Sequence, residues 1–215
     1  GAAGGAGGSG LTCTGPCGEQ LASLPSDELF AWPTVPVFDF QLDPARWQYL
    51  QTHSALEQYE EALGTFEGEA MGVVGLRFKG SYGTLTLCVD EQGNITCPKL
   101  SFKVKMSEYQ SGKRFYSLKR FNLHAMIDDP SKLHEKLGYE LYRLMGIEAP
   151  RSHYAKVRVN GEDWGLFSLV EDVDGTFTEE RWSPGTGNLY KEAWPVSTEA
   201  NYYASHLETN SSTAT

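Results

Sequence analysis

The chain has 215 residues, enough for one large domain or two small ones, and its 40% hydrophobic and 12% aromatic content is that of a globular protein. A formal charge of −10 excludes general nucleic-acid binding, which needs a positive surface. No run of apolar residues approaches the ~20 of a membrane-spanning helix.

In chain order, residues 1–30 open with "GAAGGAGGSG" and read as a glycine-rich linker. There is no initiator Met, and the chain closes in the unpatterned "ETNSSTAT". Both ends therefore look cut, as in an internal segment of a secreted or surface protein. "VPVFDFQL" (35–42) alternates as a strand, and Asp43-Pro44 then supplies an N-cap and a first helical residue. "GVVGLRFKGSYG" (72–83) is β-prone and carries Gly72, Gly75, Gly80 and Gly83. A P-loop needs Lys-Ser/Thr where Ser81-Tyr82 stand, so these glycines belong to turns or bulges, or let backbone N–H groups approach an anion.

The four cysteines form two close pairs, Cys13/Cys17 and Cys88/Cys97. Neither spacing is a standard zinc pattern, so disulfides and an oxidising compartment are expected. The sequons at Asn94 and Asn210 are compatible with secretion. "KLSFKVKM" (99–106) alternates apolar residues with Lys99, Ser101, Lys103 and Lys105, so one face is core and the other carries lysines. Lys99, Lys103, Lys105, Lys113, Arg114, Lys119 and Arg120 concentrate seven of eighteen basic residues into 22 positions. That window is either a solvated strand pair or a local anion site.

"FYSLKRFNLHAM" reads as a further strand, with His124 a hydrogen-bonded sheet residue. "DDPSKLHEKLGYELYRLMG" is the clearest helix, capped by Asp129, opened by Pro130 and closed by Gly146. Its apolar stripe is Leu133, Leu137, Leu141 and Leu144; Glu140 lies beside the stripe and Glu135 on the far side. If the stripe faces the sheet, Glu140 is the inward carboxylate. "HYAKVRV" and "WGLFSLV" form a hairpin around Asn160-Gly161, followed by the acidic Glu171, Asp172 and Asp174. The order β-α-β-β-β-β-α-β-β-α implies an α+β fold, an antiparallel sheet with a helix packed on it. No zincin spacing and no G-x-S-x-G elbow is present.

The segments "VGLRFKGSYG", "KLSFKVKM", "LKRFNLHAMIDDPSKLHEKLGYELYRLMGIEAPRSHYAKVRVNGEDWGLFSLVEDVDGTF" and "GNLYK" closely resemble the spore-coat CotH kinase family over roughly residues 34–192. The resemblance implies the small lobe of an atypical, secreted protein kinase within residues 31–192, with 193–215 an incomplete segment and the large lobe mostly missing. It implies ATP, with Mg²⁺ or another divalent metal, and serine phosphorylation of coat or cell-surface proteins. Carried onto this chain, Lys103 or Lys105 would hold the phosphates and Glu135 or Glu140 would pair with that lysine. Arg77 and Lys79 would lie near the glycine loop, and Glu171 at the hinge beside the adenine. The acids that act on phosphate and metal in kinases follow the hinge. Only 44 residues follow Glu171 here, and beyond "NLYK" they contain no Asp. No catalytic residue or metal ligand is therefore assigned, and the chain as written is not expected to transfer phosphate. The alternative is a non-catalytic surface module that binds protein or polysaccharide.

Overall fold

A computed structural model describes residues 24–80 and 84–191, together with residue 21 and the stretches 198–199, 201–202 and 208–209. Helix α1 (Ser26–Phe30) is followed by β1 (Val37–Gln41), α2 (Pro44–Thr52) and a 3-10 turn at Ser54–Leu56. β2 (Glu60–Phe66), β3 (Glu69–Lys79), the short α3 (Thr84–Leu87), β4 (Ser101–Lys105) and β5 (Arg120–His124) come next. α4 (His134–Leu144), β6 (Ser152–Val159), β7 (Glu162–Glu171) and α5 (Gly175–Arg181) complete the main body. A small pair, β8 (Tyr190–Lys191) and β9 (Glu208–Thr209), stands apart from the main sheet.

The content is mixed α and β, and the expected order of strands and helices is present with two additions: α1 before β1, and α3 at Thr84–Leu87 in a stretch that reads as β-prone. The sheet itself differs from the expectation: it closes as a barrel in the order β1-β2-β3-β4-β5-β7-β6. Neighbours are antiparallel except β1 and β6, which pair in parallel, Val37 opposite Lys156 through Phe40 opposite Val159. This seam joins strands more than a hundred residues apart. It leaves no open edge between β1 and β6, where an open sheet would expose unpaired N–H and C=O groups.

Period-two alternation sends one side chain in two into the barrel. The interior is aromatic: Phe38, Phe40, Phe66, Phe78, Phe102, Phe121 and Phe167 are all essentially excluded from solvent. Phe78 and Phe102, opposite each other on β3 and β4, stack at 4.9 Å between ring centroids. Trp47 of α2 closes one end against Phe78, Phe102 and Trp164. Asp43 positions that helix by accepting the Ala45 N–H at 2.8 Å, with Pro44 at its first turn. The core also begins inside the stretch read as linker, since Leu29 of α1 is wholly buried.

The β6–β7 hairpin turns at Asn160 and Gly161, whose φ values of 50° and 82° are those a type I′ turn requires. Gly72 (φ 74°) accompanies the register shift between β2 and β3, a β-bulge. At Gly75 a Cβ would come within 2.7 Å of Glu108, so that glycine serves the close approach of the turn after β4. Gly83 lies outside the described residues. A disulfide joins Cys88 and Cys97, as expected; Cys13 and Cys17 fall outside the described residues.

The clearest sequence helix is shorter and turned over. α4 begins at His134, because residues 129–132 form a turn in which Asp129 accepts from the Ser131 and His134 backbone N–H groups at 3.0 and 2.8 Å. Gly146 follows the helix with φ 76°, as its C′ position demands. Leu133, Leu137, Leu141 and Leu144 are exposed, and no residue of α4 is fully buried. The polar side faces the barrel: Lys136 donates to the Ser152 carbonyl at 2.7 Å, Arg143 to the Pro150 carbonyl, and Tyr154 to the Lys132 carbonyl at 2.6 Å. Among the described residues, no helix is long and apolar enough to cross a membrane.

Candidate functional site

The outer face of β3, β4 and β5 is built by the same alternation that fills the core. Arg77, Lys103 and Asn122 are aligned across the three strands, and Phe78, Phe102 and Leu123 are aligned one residue on, facing the interior. The outer set therefore comprises Arg77 and Lys79, then Lys103 and Lys105, then Arg120, Asn122 and His124. β4 thus presents Lys103 and Lys105 on one face, as expected. Lys99 precedes the strand and donates to the Leu166 carbonyl, with its ammonium 4.1 Å from the Phe167 ring.

Asp172, just beyond β7, is the centre of the site. Its Oδ1 accepts from Lys103 Nζ at 2.9 Å and Asn122 Nδ2 at 3.1 Å, and its Oδ2 lies 2.5 Å from Arg120 Nε. Burial alone would raise its pKa, but Lys103, Arg120 and Asn122 outweigh that and hold the carboxyl below the usual carboxylate range. Arg120 also reaches Asp174 at 3.0 Å, while Asp174 caps α5 by accepting the Thr176 N–H at 2.8 Å. The acidic connector after β7 thus ties two cationic strands to the start of a helix.

A second chain of contacts runs alongside. Lys79 Nζ is 3.0 Å from His124 Nε2, and His124 Nδ1 is 2.5 Å from Glu135 Oε1 on α4. Burial would raise the Glu135 pKa, but the bonds from His124 and Ser168 and the nearby Lys79 charge depress it overall. Burial, followed by repulsion from Lys103, pushes the Lys79 pKa down to about 8 against the attraction of Asp172 and Glu135.

The expected site residues divide accordingly. Lys79, Lys103 and Glu135 meet on this face. Arg77 lies at its edge, paired with Glu57 at 2.8 Å and set over the Tyr59 ring. Lys105 pairs with Glu108 at 2.6 Å. Glu140 as the inward carboxylate is corrected: it is exposed and bound to Arg143 at 2.6 Å, because the apolar stripe beside it faces solvent. Glu171 is buried at the end of β7, where its side chain is enclosed by Arg151 and Arg181 rather than open to a ligand. A cleft of about 440 Å³ beside that cluster is lined by Asp27, Arg143, Arg151, Glu180 and Arg181. Arg151 there already pairs with Asp27 and Glu180, and Arg143 with Glu140.

Asn122, His124, Asp172 and Asp174 were not among the expected site residues, and Arg120 was expected only as one of seven residues in the basic window. The alternation of "RFNLH" already put Arg120, Asn122 and His124 on one face, opposite Phe121 and Leu123.

The half-buried lysines set an alkaline stability profile. Lys79, Lys99 and Lys113 each have a pKa lowered to about 8, chiefly by burial. Between about 8 and their ordinary 10.5 the unfolded chain binds more protons than the folded one, so stability rises with pH. Below about 8 both states hold the protons and these groups add no slope. Burial raises Tyr109 and Tyr139 to about 12, so above pH 10 the unfolded chain ionises first and their effect is reversed. Urea unfolding followed from pH 7 to 11 should show stability climbing from about 8 to about 10, with a smaller climb in Lys79→Met. A flat profile over that window would contradict the burial of these ammoniums.

Taken together, these features define the class: a protein of mixed α and β content whose closed, aromatic-filled barrel carries a cationic outer face tied down by carboxylates from a helix and a connector. Residues 76–214 match the family described as CotH kinase protein, and the chain belongs to that family. It is 30% identical over 76 residues to the inner spore coat protein H of Bacillus subtilis (strain 168). That match covers 35% of this chain and 21% of the relative, so the chain spans about a fifth of the curated relative's length.

Proposed function

We propose that this chain is the nucleotide-phosphate-binding, small-lobe part of a CotH-type atypical protein kinase, which uses ATP and a divalent metal to phosphorylate serine on coat or surface proteins. The observation that carries the reading is the convergence of Lys79, Lys103 and Arg120 on one half-buried face, where Asp172 holds Lys103 and Arg120, and Glu135 reaches Lys79 through His124. Triphosphate fits such a face: an ammonium 4 Å from a phosphate oxygen is worth about 4 kcal/mol at an effective dielectric of ~20. Lys103 is 11% exposed and fixed by Asp172, so its charge is in place before a ligand arrives. When bound, ATP would supply the phosphoryl group. The divalent metal does not fit the described residues, among which no three His, Cys, Asp or Glu side chains are grouped to hold one. No step is therefore routed through it. The relative's name places that protein in the inner spore coat, and we extend a coat or cell-surface location to this chain.

The exposed stripe of α4 favours a second reading, a non-catalytic coat or surface module that binds protein or polysaccharide. Calorimetric titration with ATP, with and without Mg²⁺, separates the two. The kinase reading expects binding that weakens about tenfold or more in Lys103→Ala, the loss of one charge-assisted contact. Lys105→Ala should matter less, since its side chain is 33% exposed against 11% for Lys103 and its charge is better screened. Absence of ATP binding in both this chain and the full-length protein would leave the module reading. Transfer of labelled phosphate to serine is to be measured in the full-length protein.

A further inference from the structure

Five cations lie on the outer face, and four of them have a carboxylate in direct contact. Arg77 has Glu57, Lys105 has Glu108, Lys103 has Asp172, and Arg120 has Asp172 and Asp174. Lys79 is different: among the described residues no carboxylate lies within ion-pair distance of its ammonium, which is held by His124 instead. An ammonium has three donors and no acceptor. His124 Nε2 must then accept, its proton sits on Nδ1, and Nδ1–H donates to Glu135. The two contacts together fix a single tautomer. An imidazolium in the same seat would turn an N–H toward the ammonium, placing donor against donor and charge against like charge.

Resting on the reading of this face as a phosphate site, we propose that His124 is the positioning residue that seats Lys79 as a direct contact to a nucleotide phosphate, and that protonating the imidazole unseats it. Glu135 acts through the ring: it holds Nδ1–H and so keeps the Nε2 lone pair aimed at Lys79. The groups around this chain come from every neighbouring element. Lys79 and Arg77 arrive from β3, Lys103 from β4, Glu135 and Tyr139 from α4, Ser168 from β7 opposite His124, and Asp172 from the connector. Of the pair in contact, the imidazole is the one that must keep a bare nitrogen for the contact to exist, so the acid side of the ligand's pH profile is assigned to its protonation.

A glutamine at this position could offer an oxygen to Lys79 and an N–H to Glu135 without titrating. The test is calorimetric titration with ATP between pH 5.5 and 7.5 on the chain itself, on His124→Gln and on His124→Leu. Wild type should lose about tenfold more affinity than His124→Gln on going to pH 5.5, one charge-assisted hydrogen bond in the difference. The ligand's own titration is common to both proteins and cancels. His124→Leu should bind about tenfold more weakly at every pH, with circular dichroism and thermal midpoint reporting whether it is folded. Parallel wild-type and His124→Gln profiles, or a folded His124→Leu that binds like wild type, would overturn the proposal. Nitrogen NMR of the imidazole supplies a readout independent of nucleotide: Nδ1 protonated and Nε2 bare at neutral pH is expected, and the opposite tautomer overturns the arrangement. Wild type that shows the expected tautomer but binds no ATP at any pH, in this chain and in the full-length protein alike, refutes the phosphate-site reading itself and this role with it. ATP binding with parallel profiles refutes only the role of His124.

Discussion

Replacing Glu171 by alanine is expected to destabilise the fold by about 3–5 kcal/mol, the range for removing one partner of a buried ion pair. The carboxylate is 1% exposed and both oxygens are shared. Oε1 accepts from Arg151 Nη2 at 2.5 Å and Arg181 Nη1 at 3.0 Å; Oε2 accepts from Arg151 Nε at 3.1 Å and Arg181 Nη2 at 2.6 Å. The Arg151 backbone N–H adds a bond to Oε2 at 3.0 Å. One residue thus pins the start of β6 and the end of α5 to the last residue of β7. In the alanine variant Arg151 keeps Asp27 and Glu180, and Arg181 keeps Glu148. These are more exposed partners, and the two guanidiniums would be left facing each other across a cavity. Replacing all three members by apolar residues of similar volume should be much closer to neutral, since the cost lies in the unpaired charge rather than in the loss of the network. Urea unfolding of the single and triple variants measures both. A single-variant loss below about 1 kcal/mol would mean that water reaches the cluster and that it behaves as a surface pair.

Much of the fold was legible because alternation and turn chemistry are local. The Asp43-Pro44 start, the strand in "SFKVK" and the Asn160-Gly161 turn each depend on a few adjacent residues, and each is found. Closure of the barrel was not legible. The β1–β6 seam is a backbone pairing between distant strands, and nothing in "VFDFQ" distinguishes an open edge from a paired one. The inward face of α4 was misassigned for a different reason. A solitary helix on a sheet normally buries its apolar stripe, which made Glu140 the inward acid. Here the sheet face beneath α4 is polar, and a buried charge needs a partner. Glu135, on the side opposite the leucines, meets His124 there, while the stripe remains uncovered in the described residues. The acidic run after β7 stood out in the sequence, but its three roles did not. Asp172 is defined by Lys103, Arg120 and Asn122 on two other strands, and Glu171 by arginines before β6 and at the end of α5.

Phe102→Ala is expected to cost about 3–5 kcal/mol and also to weaken whatever binds the lysine face. The ring is wholly buried on β4, stacked on Phe78 at 4.9 Å and flanked by Trp164 and Phe167 at 5.6 and 5.8 Å. Its removal takes away apolar contact and leaves a void that rigid aromatic neighbours fill poorly, so transfer and cavity costs add. The coupling to the site follows from the pleat. Phe102 lies between Ser101 and Lys103, so a shift of β4 toward the void moves Lys103 relative to Asp172. A displacement of about 1 Å is enough to degrade a charge-assisted contact whose distances are set by rigid strands. Phe102→Leu retains most of the apolar volume and should lose less stability and less affinity. Urea unfolding together with ATP titration of the two variants checks both halves. A folded Phe102→Ala protein that is destabilised but binds ATP with wild-type affinity would show that the lysine face is held by its own ion pairs, independently of the core beneath it.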